Sequence, residues 1–285
     1  MIFFKHFSDS YNTTFLELLS WKATMSRVFI GELRRYVTNF TFTKYRTLSK
    51  LKNSNSGVAV ICALGPSIYE NKSAMRKLLS KASANKSLFV VNYYLLTEYS
   101  DIKPTYQFLS DDYFFYGDHT YQYVSLVEES PEITVLTRMA NNHKFKNNKV
   151  IYFSGLNHPM STKKINPKYI VGFSDATTLH AIAVAIFMGF SKIVLCGFDN
   201  NRFMQIHSSA PQEILFKGMR VYDSEVIEKW GNNDSMIKIL SSHLSILKSL
   251  NLFKDRDIVT IGRHSLVDIF PKIEVNEATK FFNSR

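Results

Sequence analysis

Along the chain, short uninterrupted apolar runs alternate with segments of helical spacing, the order that a parallel sheet with helical crossovers requires. The first run, Val58-Ala-Val-Ile-Cys-Ala63, stops at Gly65-Pro66-Ser67. Its freedom from charge suits a strand covered on both faces, and a glycine at its end lets the backbone approach a ligand closely. Pro66 and Ser67 are expected to open the next helix, with exposed N–H groups turned towards an anion. The three-glycine dinucleotide fingerprint is missing, and no Gly-Lys-Ser/Thr follows as in a P-loop. An ordinary strand, turn and helix cap would explain the same residues.

The alternation continues. Residues 74–84 read as a helix and Ser87–Val91 as a second strand ending at Asn92. A third run starts after Pro104 and ends at Ser110, Asp111 and Asp112. Ile133–Thr137 and Val150–Ser154 are further strand candidates, and residues 155–172 show no clear period. Asp175–Gly189 is almost wholly apolar, so a buried helix capped at both ends is predicted, with His180 an interior histidine. Lys192–Asp199 repeats the opening pattern, a buried strand leading into Gly197 and Asp199. Residues 200–232 are long and irregular, which predicts a lid carrying Arg202 and His207. An amphipathic helix over 234–250 and a last strand over Asp257–Thr260 complete the pattern. Polar residues therefore recur at successive strand ends, and in an open parallel sheet those ends share the ligand-binding edge. Each is also a common turn former.

The expected fold is α/β, a Rossmann-like, doubly wound and mostly parallel sheet over residues 57–285, with the lid at about 200–232. Residues 1–56 differ from the rest. The first 54 carry nine Lys/Arg against three Asp/Glu, more than half of the chain's net charge of +11. Their apolar positions fall near helical spacing, so a basic helical extension is expected, either lying on an anionic leaflet or packing its stripe on the body of the protein. Residues 50–57 are polar and read as a linker. Cys62 and Cys196 both fall in buried strands and read as core residues rather than as a disulfide or zinc site, which favours a reducing compartment. No run of about eighteen apolar residues and no signal-peptide pattern is present, so the cytoplasm, with peripheral contact at the inner membrane, is the expected location. The positive charge implies an anionic partner, and no nucleic-acid motif points to DNA or RNA.

Several of these segments together carry a family resemblance. Gly65-Pro-Ser67, Asn92, Thr177-Thr178, Ala183-Val-Ala-Ile186, Met188-Gly-Phe-Ser-Lys-Ile193 and Cys196-Gly-Phe-Asp199 line up in order with bacterial sialyltransferases that decorate surface lipooligosaccharide. Ser265–Pro271 resembles the end of that family's core, so the likeness spans about residues 57–275. The resemblance implies transfer of sialic acid or a related sugar from a CMP-activated donor to a cell-surface glycan or glycolipid, such as lipopolysaccharide or capsule, with no obligatory cofactor or metal. By position it implies that Gly65, Pro66, Ser67 and Asn92 line the donor's phosphate and sugar. Thr177 and Thr178 would touch its base or ribose, and Ser110, Asp111 and Gly197 would lie near it.

The departures are specific. The family's first turn has asparagine where this chain has Leu64, and its threonine–serine–glycine becomes Ala176-Thr-Thr178. Its histidine base precedes the penultimate helix, where this chain has Trp230-Gly-Asn-Asn-Asp234. His207 is then the candidate base, with Arg202 on the phosphate and Asp199 and Asp111 as alternative bases. The Gly-Pro-Ser and Gly-x-Asp elements are also similar to those of pterin diphosphokinase-like proteins. That reading would place a divalent metal on Asp111, Asp112 and Asp199. A non-enzymatic module that binds an anionic ligand is the third reading.

Overall fold

Eight strands, all parallel, form one sheet among the described residues. They are β1 (Val58–Cys62), β2 (Leu88–Val91), β3 (Tyr106–Leu109), β4 (Thr134–Arg138), β5 (Val150–Phe153), β6 (Lys192–Cys196), β7 (Asp257–Ile261) and β8 (Lys272–Ile273). Their spatial order is β5-β4-β3-β2-β1-β6-β7-β8. The structure is a computed structural model that describes residues 48–109, 120–138, 145–153, 176–200, 243–262 and 265–282.

Strand periodicity explains the two cores. In β1, Ala59 and Ile61 join one apolar cluster and Val60 and Cys62 the other, and β2 and β6 alternate in the same way. One face is covered by α1 (Lys72–Ala84), α2 (Thr120–Glu128) and α5 (Val275–Lys280), the opposite face by α3 (Thr177–Met188) and α4 (243–250). This is the predicted doubly wound α/β arrangement, purely parallel where the sequence suggests mostly parallel. Tyr123 and Val127 fix α2, and Val275 and Ala278 fix α5, in the cluster that α1 also fills.

Three sequence expectations need correction. The strand at Asp257 is not the last, because β8 pairs Ile273 with Ile261 and extends the sheet; two residues are too few to show a period. Pro66 and Ser67 do not open an α-helix but a four-residue 3-10 turn, Pro66–Tyr69, and α1 starts later, where Asn71 Oδ1 accepts from Ala74 N at 3.2 Å. Finally, α3 ends as expected at Gly189, but its N-cap is Ala176, which has no side-chain cap. Burial holds that end instead, since every residue of α3 except Ile186 is buried.

The linker expected over residues 50–57 is tied down. Asn53 N donates to the Phe187 carbonyl at 3.1 Å and Asn55 N to that of Met188 at 2.9 Å, while Leu48 is fully buried in the α3-side core. These bonds place the C-terminus of α3 at the amino edge of the sheet. Its first turn lies at the carboxyl edge, where the His180 ring packs 5.1 Å from that of Phe153, the last residue of β5.

Candidate functional site

From β1 the chain builds outward to β5 on one side, then returns to place β6 on the other. The carboxyl ends of β1 and β6 therefore flank the topological switch point, the usual crevice for a ligand in an open α/β sheet. Two glycine turns meet there. Ala63 N donates to the Cys196 carbonyl at 2.8 Å and Gly65 N to that of Gly197 at 2.7 Å, so pairing continues past the strands.

Glycine is required at this meeting for steric reasons. Gly197 has φ +65°, and a Cβ on it would lie 2.5 Å from the Ala63 carbonyl oxygen and 2.6 Å from Ile68 Cγ2. A Cβ on Gly65 would run into the Asp199 carboxylate and the Gly197 carbonyl. The close approach that Gly65 allows is thus to the chain's own carboxylate. Asp199 is 2% exposed, and its Oδ2 accepts from Ser67 N at 2.8 Å. Gly65 N is bonded, Pro66 has no N–H, and Ile68 N donates to the Gly65 carbonyl at 3.3 Å, so the turn's backbone donors are internally satisfied.

Side chains are what remain to meet a ligand. Ser67 is 2% exposed, and its Oγ is buried without a hydrogen-bond partner among the described residues. Asn200, with φ +49°, has a buried Nδ2 in the same state, while its carbonyl lies 3.0 Å from His243 Nδ1 on α4. Such atoms cost stability unless something satisfies them. Ser265 straps this region: its Oγ donates to the Phe198 carbonyl at 3.0 Å, and Leu266 N donates to that of Asp199 at 2.8 Å.

Asn92 forms a second polar corner, one strand away. Its φ is +52°, and its carbonyl accepts from Gln107 Nε2 at 2.8 Å and from the Tyr123 hydroxyl at 2.6 Å. Gln107 is fully buried in β3, and Tyr123 reaches in from α2. The Asn92 backbone is thereby pinned, leaving its buried Oδ1 without a hydrogen-bond partner among the described residues.

Of the predicted site residues, Gly65, Pro66, Ser67, Gly197 and Asp199 come together. Asn92 lies along the same edge at the end of β2, and Thr177 and Thr178 are buried in the first turn of α3, on the opposite face from Ile68. Ser110, Asp111, Asp112, Arg202 and His207 lie outside the described residues. Cys62 and Cys196 are neighbours in register at the ends of β1 and β6, and both are buried free thiols. Burial pushes the Cys62 thiol up to about 12 and that of Cys196 well above its ordinary value, so neither is a ready nucleophile.

Sequence reasoning missed Gln107, Tyr123, Asn200 and Gly262. The first two are distant from Asn92 in sequence and reach it only through strand pairing and helix packing. Asn200 directly follows the Gly-x-Asp element, a signal that could have been read. Among the described residues, no helix is long and apolar enough to cross a membrane, and no group of three potential ligands is arranged for a metal.

No family model matches the sequence, and no curated protein does. Among solved structures, the chain is similar to the sialyltransferase CstII from Campylobacter jejuni in complex with a substrate analogue, cytidine-5'-monophosphate. That match has 14% identity and a TM-score of 0.41, and covers 77% of this chain and 87% of that one. The same enzyme in complex with CMP-3FNeuAc gives 15% identity and a TM-score of 0.37, covering 76% and 85%. Both are distant likenesses of fold.

Proposed function

We propose that the chain is a glycosyltransferase that moves sialic acid or a related sugar from a CMP-activated donor to a cell-surface glycan hydroxyl. The observation that supports a nucleotide-type ligand is the edge at the switch point. There, Ser67 Oγ, Asn200 Nδ2 and, one strand further, Asn92 Oδ1 are buried polar atoms with no hydrogen-bond partner among the described residues, beside the two tight turns that Gly65 and Gly197 permit. The choice of a CMP donor follows the sequence resemblance.

In this reading the acceptor hydroxyl oxygen bonds to the anomeric carbon as the bond from that carbon to the CMP phosphate oxygen breaks. The hydroxyl proton passes to a base, and CMP departs with the bonding pair. Ser67, Asn92, Ser110, Thr177, Thr178 and Arg202 hold the donor, with Gly65, Pro66 and Gly197 shaping the turn. His207 is the first residue to test as base, because its ordinary pKa suits proton transfer near neutrality. Asp111 is the second. Asp199 has the weaker claim, because its Oδ2 is already engaged with Ser67 N and holds the turn. The basic residues 1–56 meet the anionic face of the inner membrane.

A thermal-shift series with CMP, UMP and GMP, with and without magnesium, tests the donor class. CMP is expected to raise the midpoint most, without magnesium, because a ligand that binds only the folded state stabilises it. A rise confined to a purine nucleotide with magnesium would favour diphosphokinase-like chemistry instead. For the base, His207→Ala is expected to lower turnover at saturating donor by a factor of about a hundred or more. Unchanged turnover and pH dependence would move the role to Asp111.

A further inference from the structure

Beside the switch point, on the α1 and α5 side of the sheet, lies a cavity of about 480 Å³. That size is within the range of about 300–1,000 Å³ usual for small-molecule sites. Ser67 is the wall shared by switch point and cavity. A Cβ built on Gly262, at the end of β7, would meet Ser67 Oγ at 2.8 Å and Asp199 Oδ1 at 3.3 Å, so the serine hydroxyl faces the β7 side, where Gly262 also lines the cavity. This hydroxyl belongs to a residue 2% exposed and has no hydrogen-bond partner among the described residues.

The rest of the described lining has three kinds of group. Glu70 supplies a carboxylate acceptor, and Glu274 and Glu277, joined in the capping box of α5, keep further carboxylate lone pairs; Lys272 supplies an ammonium donor, and Asn71, whose Oδ1 caps α1, an amide N–H. Met75, Ile261, Ile273 and Val275 form an apolar wall. Three carboxylates against one lysine make this lining formally acidic in a chain of net charge +11. The lysine is itself paired, Nζ to Asp268 Oδ1 at 2.6 Å. An anionic ligand would be repelled here, and a simple cation would have no use for the apolar wall or for Lys272. A neutral pyranose uses all three kinds of group, with hydroxyl edges that both donate and accept and a C–H face that packs on aliphatic side chains.

We propose that this cavity is the subsite for the second substrate, a neutral, hydroxyl-rich sugar that is read by Glu70 and Ser67 and packed on Ile273. The assignment as acceptor subsite rests on the glycosyltransferase reading; the sugar-binding chemistry of the cavity does not.

The test is saturation-transfer NMR on the full chain with methyl glycosides of neutral hexoses, with galacturonic acid as an anionic counter-probe, each with and without CMP. Transfer to at least one neutral glycoside is expected, and none to the uronic acid. Ile273→Trp, which fills the cavity, should abolish the signal, and the exposed Glu70→Ala should weaken binding about tenfold. The midpoint shift produced by CMP should survive in both variants. Failure of every neutral glycoside to bind the native protein overturns the proposal, as does equal binding by both folded variants or a preference for the uronic acid. Loss of the CMP shift in Glu70→Ala would make the cavity part of the donor site and so remove its acceptor role. If CMP does not bind the native protein while the neutral glycoside does, the glycosyltransferase reading fails and the cavity stands as a sugar site.

Discussion

The two edges of the sheet treat their polar groups differently. At the amino edge most are matched within the chain, the buried Oδ1 of Asn148, just before β5, being the exception among the described residues. Lys192 Nζ pairs with Asp257 Oδ2 at 2.7 Å, Ser191 Oγ donates to the Gly57 carbonyl at 3.0 Å, and Asn53 and Asn55 bind the end of α3. At the carboxyl edge Ser67, Asn92 and Asn200 each bury a polar atom with no hydrogen-bond partner among the described residues. Both edges are made by the same strands, so strand composition is not the cause. Left-handed turns are common to both edges, with Gly57, Lys86 and Gly189 at the amino ends and Asn92, Gly197 and Asn200 at the carboxyl ends; the difference lies in the side chains of Ser67, Asn92 and Asn200, which are turned inward while their backbones are held. Such an edge gives up some stability to keep polar groups available to a ligand.

The largest expected effect is alkaline unfolding that begins at the carboxyl edge. Cys62 and Cys196 end β1 and β6, while Tyr94 and Tyr123 flank Asn92, and burial raises the pKa of all four. A raised acid pKa contributes stability that is complete below the unfolded value and is lost as pH climbs towards the folded one. Stability should therefore hold to about pH 9 and fall steadily towards pH 12, a window bounded by the ordinary and raised values of Cys62. Denaturant midpoints across this window, with hydrogen exchange to locate the first opening, would check it. Amino-edge amides opening first would break the contrast.

Next in size is Gly197→Ala. It adds a Cβ at φ +65° into the Ala63 carbonyl. A loss of about 2–5 kcal/mol is expected in urea unfolding. Asp199→Ala should cost about 1–3 kcal/mol, because it leaves the Ser67 N–H without its acceptor. It should also weaken the CMP midpoint shift, since the turn loses its anchor. The smallest effect belongs to the amino edge, where Lys192→Met removes a partly exposed ion pair. It should change stability by less than about 1 kcal/mol and leave the CMP shift intact. A larger loss of ligand response from Lys192→Met than from Asp199→Ala would invert the comparison.

The sequence makes the strands legible because β1, β2 and β6 are buried on both faces and read as unbroken apolar runs. It makes the switch point legible as well, since Gly65-Pro-Ser67 and Gly197-Phe-Asp199 punctuate two such runs. What it hides is the partner of each polar group. Asp199 looks like a ligand-facing carboxylate, and only the pairing of β1 with β6 reveals that it binds the first turn. Gln107 looks like an interruption in a strand, and only the approach of Tyr123 shows it holding Asn92. The short β8 has too few residues to carry a period, so the cavity beside it has no signature along the chain.

The clamp between Ser67 and Asp199 also sets a timetable for folding. Its two ends are 132 positions apart. At roughly 5–20 residues per second, the ribosome needs on the order of ten seconds to deliver the second after the first. Through that interval β1 can pair with β2, but its other flank has nothing to join, and a fully apolar strand stands open along one side. Five of the eight strands must wait with an open edge on β1 until β6 arrives, which makes this chain slow to mature and most exposed to misassociation during synthesis.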